Sequence, residues 1–69
     1  MRNDSYLKNI GNKIRTIRNR KKLSLRKLGE LCNIDYGHLS PLENGQMNPY
    51  LLTLKTIVDV LKVEVKELI

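Results

Sequence analysis

The sequence predicts an all-α, compact five-helix domain, and two observations support this fold class. Apolar residues recur at intervals of three and four along most of the 69 residues, which is the spacing of one helix face. Residues that favour helix starts, Ser24 and Asp35, precede two of these runs, and Gly45 follows one. The chain has no Phe or Trp, so its small core has to be aliphatic. Residues 1–69 are therefore predicted to form one domain, with residues 1–5 as a flexible N-terminus.

The first two helices are predicted from apolar spacing and from capping residues. The first is expected from Ser5 to Lys21, and its inward face holds Leu7, Ile10, Ile14 and Ile17. Ser24 is a good N-cap for a second helix, Leu25–Cys32, with Leu28, Leu31 and Cys32 facing inward. Asn33 tolerates the left-handed conformation, which suits a sharp turn directly after this helix.

Three further helices complete the prediction. Asp35 is expected to cap a third helix that runs from Tyr36 to about Asn44 and is closed by Gly45. The fourth helix is expected over Tyr50–Leu61, and its inward face holds Leu51, Leu54, Ile57, Val58 and Leu61. A short last helix is expected after Val63.

Pro41 lies inside the predicted third helix, where proline removes a backbone hydrogen bond and clashes with the carbonyl of residue 37. Gly37 at that position softens the clash. The alternative is a helix that restarts at Ser40, since Ser40-Pro41-Leu42-Glu43 fits a capping box. A restarted helix would have only about one turn before Gly45, so we favour a single helix that is bent or loosened near Pro41.

The charge distribution points to an anionic partner. The net charge is +6, and residues 1–27 contain ten of the thirteen Lys and Arg residues but only one of the seven acidic residues. Nucleic acid and a membrane surface are both compatible with such a basic half, as is an ordinary solvated helix. Arg26 and Lys27, beside the start of the second helix, are candidate phosphate ligands.

Two short capped helices separated by a tight turn at Asn33-Ile34 form a helix-turn-helix arrangement. A more specific pattern is Leu42-Glu43-Asn44-Gly45 followed by Asn48-Pro49, at a set distance after Leu23-Ser24. On these residues the chain resembles the phage-repressor/Cro-type helix-turn-helix family, also called the XRE family, over roughly residues 10–69. The resemblance implies a lambda-repressor-like fold and a transcriptional regulator that binds double-stranded DNA as a homodimer on a palindromic operator.

The resemblance also implies roles for individual residues. The start of the third helix would enter the major groove, and the positions implied to contact bases are Tyr36, Gly37, His38 and Pro41. The positions implied to face phosphates are Ser24, Leu25, Asn44 and Gln46. Leu25 replaces a glutamine that is usual in the family, so its backbone N–H alone can make that contact. Arg18 and Glu43 match the family's ion pair between the first helix and the end of the third.

The residues themselves leave some of these roles open. Tyr36 either contacts DNA, which we favour, or covers the turn, and His38 fits a DNA contact and a plain surface position equally. Asp35 is better explained as a cap than as a base contact, and Cys32 as a packed apolar residue. The remaining apolar positions Leu52, Val60, Val65 and Ile69 either form a dimer patch or complete the core.

No pattern of catalytic residues, metal ligands or phosphate-binding glycines is present, so we expect no enzyme activity, no cofactor or metal, and no small-molecule ligand. The single cysteine and the absence of a long apolar run favour a cytoplasmic protein without a membrane segment. Because Pro41 and Leu25 both weaken contacts to DNA, the alternative function is a protein-interaction module. Such a module would be an antitoxin or a recruiting subunit with weak or nonspecific DNA binding.

Overall fold

The computed structural model describes residues 3–68, and side chains from residue 5 onward. Its α-helices are α1 (Asn3–Arg20), α2 (Leu25–Cys32), α3 (Tyr36–Glu43) and α4 (Leu51–Leu61). Helix α1 begins two residues before the predicted Ser5, so residues 3–5 are helical, and residues 1 and 2 lie outside the described range. None of the helices in this range is long and apolar enough to cross a membrane.

The prediction of five helices is wrong in its last element. Within residues 3–68 the chain forms four α-helices and a single turn of 3-10 helix, Val65–Glu67. Helix α4 is closed by Lys62, which adopts a left-handed conformation with φ 60°. The backbone bonds that follow, Glu67 N–H to Glu64 O and Leu68 N–H to Val65 O, each span three residues, which defines the 3-10 geometry.

The core is aliphatic and draws on all four helices and the 3-10 turn region. Its buried residues are Ile10, Ile14, Ile17, Leu28, Cys32, Leu39, Leu42, Ile57, Val58, Leu61 and Leu68. Burial raises the pKa of the Cys32 thiol, so the thiol stays neutral and packs as an apolar group, as expected. The radius of gyration, 10.9 Å, is close to the roughly 11 Å of a compact chain of this length.

Two leucines predicted to face the core are exposed instead. Leu31 is 50% exposed, because α2 buries the face that holds Leu28, Gly29 and Cys32 and Leu31 lies roughly 110° from its centre. Leu51 is 76% exposed, since it is the first residue of α4 and the buried residues of that helix begin only at Ile57. Apolar spacing identified the four α-helices but not the edges of their buried faces.

Helix α3 is a single helix that includes Pro41, which confirms the interpretation favoured over a restart at Ser40. Its end is stabilised by two backbone bonds, Gly45 N–H to Leu42 O (3.2 Å) and Gln46 N–H to Pro41 O (2.9 Å). Gly45 has φ 72°, the left-handed conformation that glycine adopts without a steric penalty. This arrangement supplies donors to the last carbonyls of a helix that proline has already deprived of one hydrogen bond.

Helix α1 approaches α3 closely at Gly11. A side chain at this position would overlap the backbone carbonyl oxygens of Glu43 and Leu42, the latter only 2.6 Å from an added Cβ. The backbones of the two helices therefore pack with nothing between them at this point. This contact sets the position of α3 relative to the longest helix of the molecule.

Candidate nucleic-acid interface

The outer face of α3 is built by helical spacing from the residues opposite its buried face. Leu39, Leu42 and Glu43 face inward. Because successive residues are about 100° apart, the opposite stripe contains Gly37, Pro41 and Asn44, with Tyr36 and Ser40 on one flank and His38 on the other. Tyr36, Gly37, His38 and Asn44 are exposed, and Ser40 and Pro41 are half-buried. Gly37 and Pro41, two of the four residues expected to contact bases, therefore lie on the outer stripe of α3, and the other two, Tyr36 and His38, lie on its opposite flanks.

Ser40 belongs to this surface and was not identified from the sequence. In the sequence Ser40 begins a possible capping box, a pattern that indicates a local role and does not depend on its face of the helix. The spacing of three and four from Gly37 and Tyr36 is the signal that identifies it. Its hydroxyl can both donate and accept a hydrogen bond at the surface of α3.

Tyr36 and His38 point to different neighbours. The guanidinium carbon of Arg26 lies over the Tyr36 ring, 4.5 Å from its centroid, so Tyr36 leans towards the start of α2. His38 lines an apolar cavity of about 230 Å³ between α3, the following loop and the start of α4. The two side chains expected to make base contacts thus occupy opposite flanks of α3.

The start of α2 is capped by Ser24, as predicted. The Ser24 Oγ accepts a hydrogen bond from the Lys27 backbone N–H at 3.0 Å, which leaves the hydroxyl proton available as a donor. The apolar side chain of Leu25 is half-buried and packs against the core, so only the Leu25 backbone can make a polar contact. Lys27 is exposed, and its Nζ lies 3.8 Å from Glu30 Oε1 in a surface pair of low expected strength.

Asp35 precedes α3 at the N-cap position, but its side chain forms no capping hydrogen bond. The prediction of a side-chain cap is therefore wrong. With φ −59° and ψ 137°, the Asp35 backbone is oriented so that its carbonyl oxygen accepts from the N–H groups of His38 (2.9 Å) and Leu39 (3.1 Å). At the start of α3 the Asp35 main-chain carbonyl therefore accepts these hydrogen bonds, while the Asp35 side chain accepts none.

Arg18 and Glu43 form the ion pair that was expected between α1 and the end of α3. Arg18 Nε lies 2.7 Å from Glu43 Oε2, Arg18 Nη2 donates to Glu43 Oε1 at 3.0 Å, and Arg18 Nη1 donates to the Leu23 carbonyl oxygen at 2.7 Å. The hydrogen bonds to the Glu43 carboxylate raise the pKa of the Arg18 guanidinium. Two parallel hydrogen bonds give the pair a fixed geometry, so the pair holds α3 in one orientation on α1.

Arg15 extends this ion pair towards the surface and was not identified from the sequence. Its Nε lies 3.4 Å from Glu43 Oε1, and its Nη2 donates to Asn44 Oδ1 at 2.7 Å. Because the Asn44 oxygen accepts from Arg15, the Asn44 amide NH₂ is the group left to contact an anion. Arg15 precedes Arg18 by three residues, and this one-face spacing on α1 is the signal that predicts their shared partner.

Gln46 follows α3 in the loop, where its side chain is exposed and its backbone N–H is used to close the helix. Together with Ser24, Arg26, Lys27 and Asn44, it places polar and basic groups at both ends of the α2–α3 pair. A family model described as helix-turn-helix matches residues 14–68, which include this pair. The chain belongs to this helix-turn-helix family.

Relatives of this helix-turn-helix chain include a phage protein and a bacterial controller protein. The chain is 30% identical over 60 residues to the immunity repressor protein of Bacillus phage phi105, covering 87% of this chain and 42% of the repressor. It thus spans less than half the length of that relative. The structure is similar to that of the restriction-modification controller protein C.AhdI from Aeromonas hydrophila, with a TM-score of 0.90 and 29% identity over 94% of this chain and 98% of that one.

A second structural relative of the helix-turn-helix chain is the clp gene regulator ClgR from C. glutamicum. The TM-score is 0.83 and the identity 28%, over 88% of this chain and 79% of that one. Both structural matches have an all-α fold in common with this chain along most of its length. The family assignment and the fold therefore agree.

The apolar residues expected to form a dimer patch divide between surface and core. Leu52 is 79% exposed, whereas Val60 and Val65 are partly buried and pack against the core. Ile69 lies outside the described residues. Tyr50 and Leu51 are exposed next to Leu52, so the exposed apolar surface of this helix-turn-helix chain is concentrated at the start of α4.

Proposed function

We propose that this protein binds double-stranded DNA in a sequence-specific manner and regulates transcription as a homodimer on a two-fold symmetric operator. The observation that carries the proposal is the outer face of α3. This face is exposed, while the opposite face is held to α1 by the Arg18–Glu43 pair and by buried leucines. The relatives are by name an immunity repressor, a controller protein and a gene regulator, which supports regulation by binding rather than an enzymatic activity.

In this proposal α3 enters the major groove, which is about 12 Å wide and admits one helix. The start of α2, with Ser24, Arg26 and Lys27, contacts a phosphate on one side of the groove, and Asn44 and Gln46 contact a phosphate on the other. These contacts with the DNA phosphates set the register of the protein on the duplex. The four base-contacting positions of α3 then face the base edges.

Few hydrogen bonds to bases are available from this surface. Gly37 has no side chain, and Pro41 offers an apolar ring suited to a thymine methyl group. The polar groups are the Tyr36 hydroxyl, the His38 ring and the Ser40 hydroxyl. Sequence preference therefore depends on a small number of contacts, of which Tyr36 lies closest to the phosphate-binding start of α2.

The experiment that tests this function is selection from random duplex DNA, followed by measurement of Kd for the selected and for a random duplex. We expect a clear preference for one sequence. Tyr36→Ala should weaken specific binding by about 1–3 kcal/mol and leave nonspecific binding nearly unchanged. Pro41→Gln should change which operator is preferred, because glutamine adds a base-contacting side chain at the centre of the outer face.

A specific-to-random ratio near one for the unmodified protein would contradict sequence-specific binding. A ratio that is unchanged in both variants would exclude direct base contact by α3. Either result would favour the protein-interaction module as the function. Lys66→Ala, at the far end of the chain, is the matched control and should leave both affinities unchanged.

The homodimer is proposed to form through the apolar surface at the start of α4, centred on Leu52. In a dimer the α3 helices of the two subunits would contact half-sites about 34–36 Å apart, one turn of DNA. Leu52→Asn should abolish dimerisation in sedimentation measurements and lower operator affinity. Leu31→Asn, which changes another exposed leucine on α2, is the control and should leave the oligomeric state unchanged.

A further inference from the structure

The Arg26 side chain bridges the two helices of the helix-turn-helix pair on their exposed side. Arg26 lies in the first turn of α2 and Tyr36 is the first residue of α3. The guanidinium carbon is 4.5 Å from the centroid of the Tyr36 ring, well within the roughly 6 Å of a cation–π contact. The contact therefore joins a candidate phosphate ligand to a candidate base-contacting residue.

Tyr36 needs such support because it has little packing of its own. Its side chain is 43% exposed and lies at the first position of a helix. An exposed side chain of this kind samples several rotamers, and fixing it on binding costs entropy. A neighbour that holds the ring in the free protein removes part of that cost.

Arginine is suited to holding a ring and binding an anion at the same time. Its guanidinium is planar and stacks by its face, while its five N–H donors point outward in the plane. Among the side chains that the structure describes, Arg26 has no carboxylate within ion-pair distance, whereas Lys27 next to it pairs with Glu30. The charge of Arg26 is thus available to an external anion while its face stays on Tyr36.

We propose that Arg26 is a positioning residue for DNA sequence recognition: it holds the Tyr36 ring against the base edges while its outer edge donates to the adjacent DNA phosphate. This inference rests on the proposed function. In this arrangement the contact of Arg26 with the DNA phosphate and the contact of Tyr36 with a base depend on each other. Arg26 therefore contributes to sequence preference as well as to nonspecific affinity, which a phosphate ligand alone does not do.

The test compares Kd values for a selected and a random duplex in the full chain carrying Arg26→Ala, Tyr36→Ala, both changes, or Lys27→Ala. We expect Arg26→Ala to lower the specific-to-random ratio by roughly 3- to 30-fold. The double variant should lose no more of this ratio than Tyr36→Ala alone, because Arg26 contributes to sequence preference only through the Tyr36 ring. Lys27→Ala removes an equal charge one residue away and should weaken both duplexes equally.

A measurement on the free protein tests the stacking itself. The side-chain protons of Arg26 should resonate upfield in NMR spectra because of the Tyr36 ring current, and this shift should disappear in Tyr36→Ala. Circular dichroism melting should show that all variants remain folded, since Tyr36 and Lys27 are exposed and Arg26 lies on the solvent side of α2. Absence of the upfield shift would overturn the inference.

The proposed function and the positioning role of Arg26 fail in different ways. If the unmodified protein prefers no duplex over random DNA, the proposed function fails, and the positioning role fails with it. If the unmodified protein does prefer one duplex and Arg26→Ala lowers both affinities equally, as Lys27→Ala does, only the positioning role of Arg26 is overturned.

Discussion

Glu43 places a carboxylate in the interior between α1 and α3, where it is only 4% exposed. Burial of a charge is costly unless hydrogen bonds replace the water that it loses. Arg18 supplies two such bonds and Arg15 a third contact, at 3.4 Å. Because the partners come from α1, the carboxylate links the orientation of α3 to the longest helix.

Removing Arg18 or Glu43 should leave the other, largely buried charge without its main partner. We expect Arg18→Ala and Glu43→Ala each to lower the free energy of unfolding by about 2–4 kcal/mol. The double variant should lose less than the sum, because neither of the two largely buried charges remains. Urea denaturation of the four proteins measures this coupling, and additive losses would contradict it. Arg15→Ala should cost less, since Arg15 is more exposed and its contact is longer.

Gly37 lies on the outer face of α3, where an added Cβ would have no neighbour within 4 Å. In the free protein, Gly37→Ala should therefore stabilise the fold by about 0.5–1 kcal/mol, because alanine favours the helix. If α3 enters the groove, the added methyl group should also weaken operator binding. Thermal melting and operator Kd, measured together, test this. Improved stability with unchanged binding would show that DNA does not approach Gly37.

At the scale of the elements, the helices of the α2–α3 pair begin in different ways. Helix α2 has a side-chain cap at Ser24, with a 3.0 Å hydrogen bond to the Lys27 N–H, whereas α3 has Asp35 without one. Helix α3 also contains Pro41, which removes one of its few internal hydrogen bonds. An eight-residue helix with these features is stabilised mainly by its buried leucines and by the Glu43 ion pair.

This difference in capping should be measurable. Ser24→Ala should lower the free energy of unfolding by about 1 kcal/mol, because it leaves a helix N–H without its acceptor. Asp35→Ala should cost only a few tenths of a kcal/mol, since its side chain forms no capping hydrogen bond. Chemical denaturation of both variants makes the comparison. A larger effect for Asp35→Ala than for Ser24→Ala would contradict the capping geometry.

At the scale of the whole molecule, the described residues of the basic half, 3–27, form α1, a turn and the start of α2. The start of α2 lies beside the outer face of α3, as the contact between Arg26 and Tyr36 demonstrates. The acidic residues lie mostly in the second half of the sequence. This asymmetry along the sequence supports the proposal that the basic residues near the start of α2 attract a polyanion.

Operator binding should therefore depend steeply on salt. A dimer that neutralises about 4–8 phosphates should give a log–log slope of affinity against salt near −4 to −7. Lys27→Ala should flatten this slope by up to about 1 for each phosphate that is no longer neutralised, counted over both subunits, without changing sequence preference. The control is Lys66→Ala, whose Nζ lies 3.7 Å from Glu64 Oε1. Equal slopes for the unmodified protein and Lys27→Ala would assign Lys27 to the solvated surface.

The sequence by itself determined the features that depend on a few neighbouring residues. These include the position of α2, the Ser24 cap, the left-handed turn at Asn33 and the continuity of α3 through Pro41. Helix formation and capping are governed by contacts within one or two turns, so local spacing is enough to predict them. The Arg18–Glu43 pair joins distant residues, and it was predicted only because the chain resembles a known family.

Only the tertiary structure decided which faces are buried and which side chains meet. Leu31 and Leu51 fit an apolar helix face in the sequence, yet both are exposed because no neighbouring helix in the described part of the chain covers them. The guanidinium groups of Arg15 and Arg26 each meet a residue of α3 or of the loop that follows it. Such contacts depend on how the helices are oriented against each other and on the rotamers that this packing permits, which no local pattern encodes.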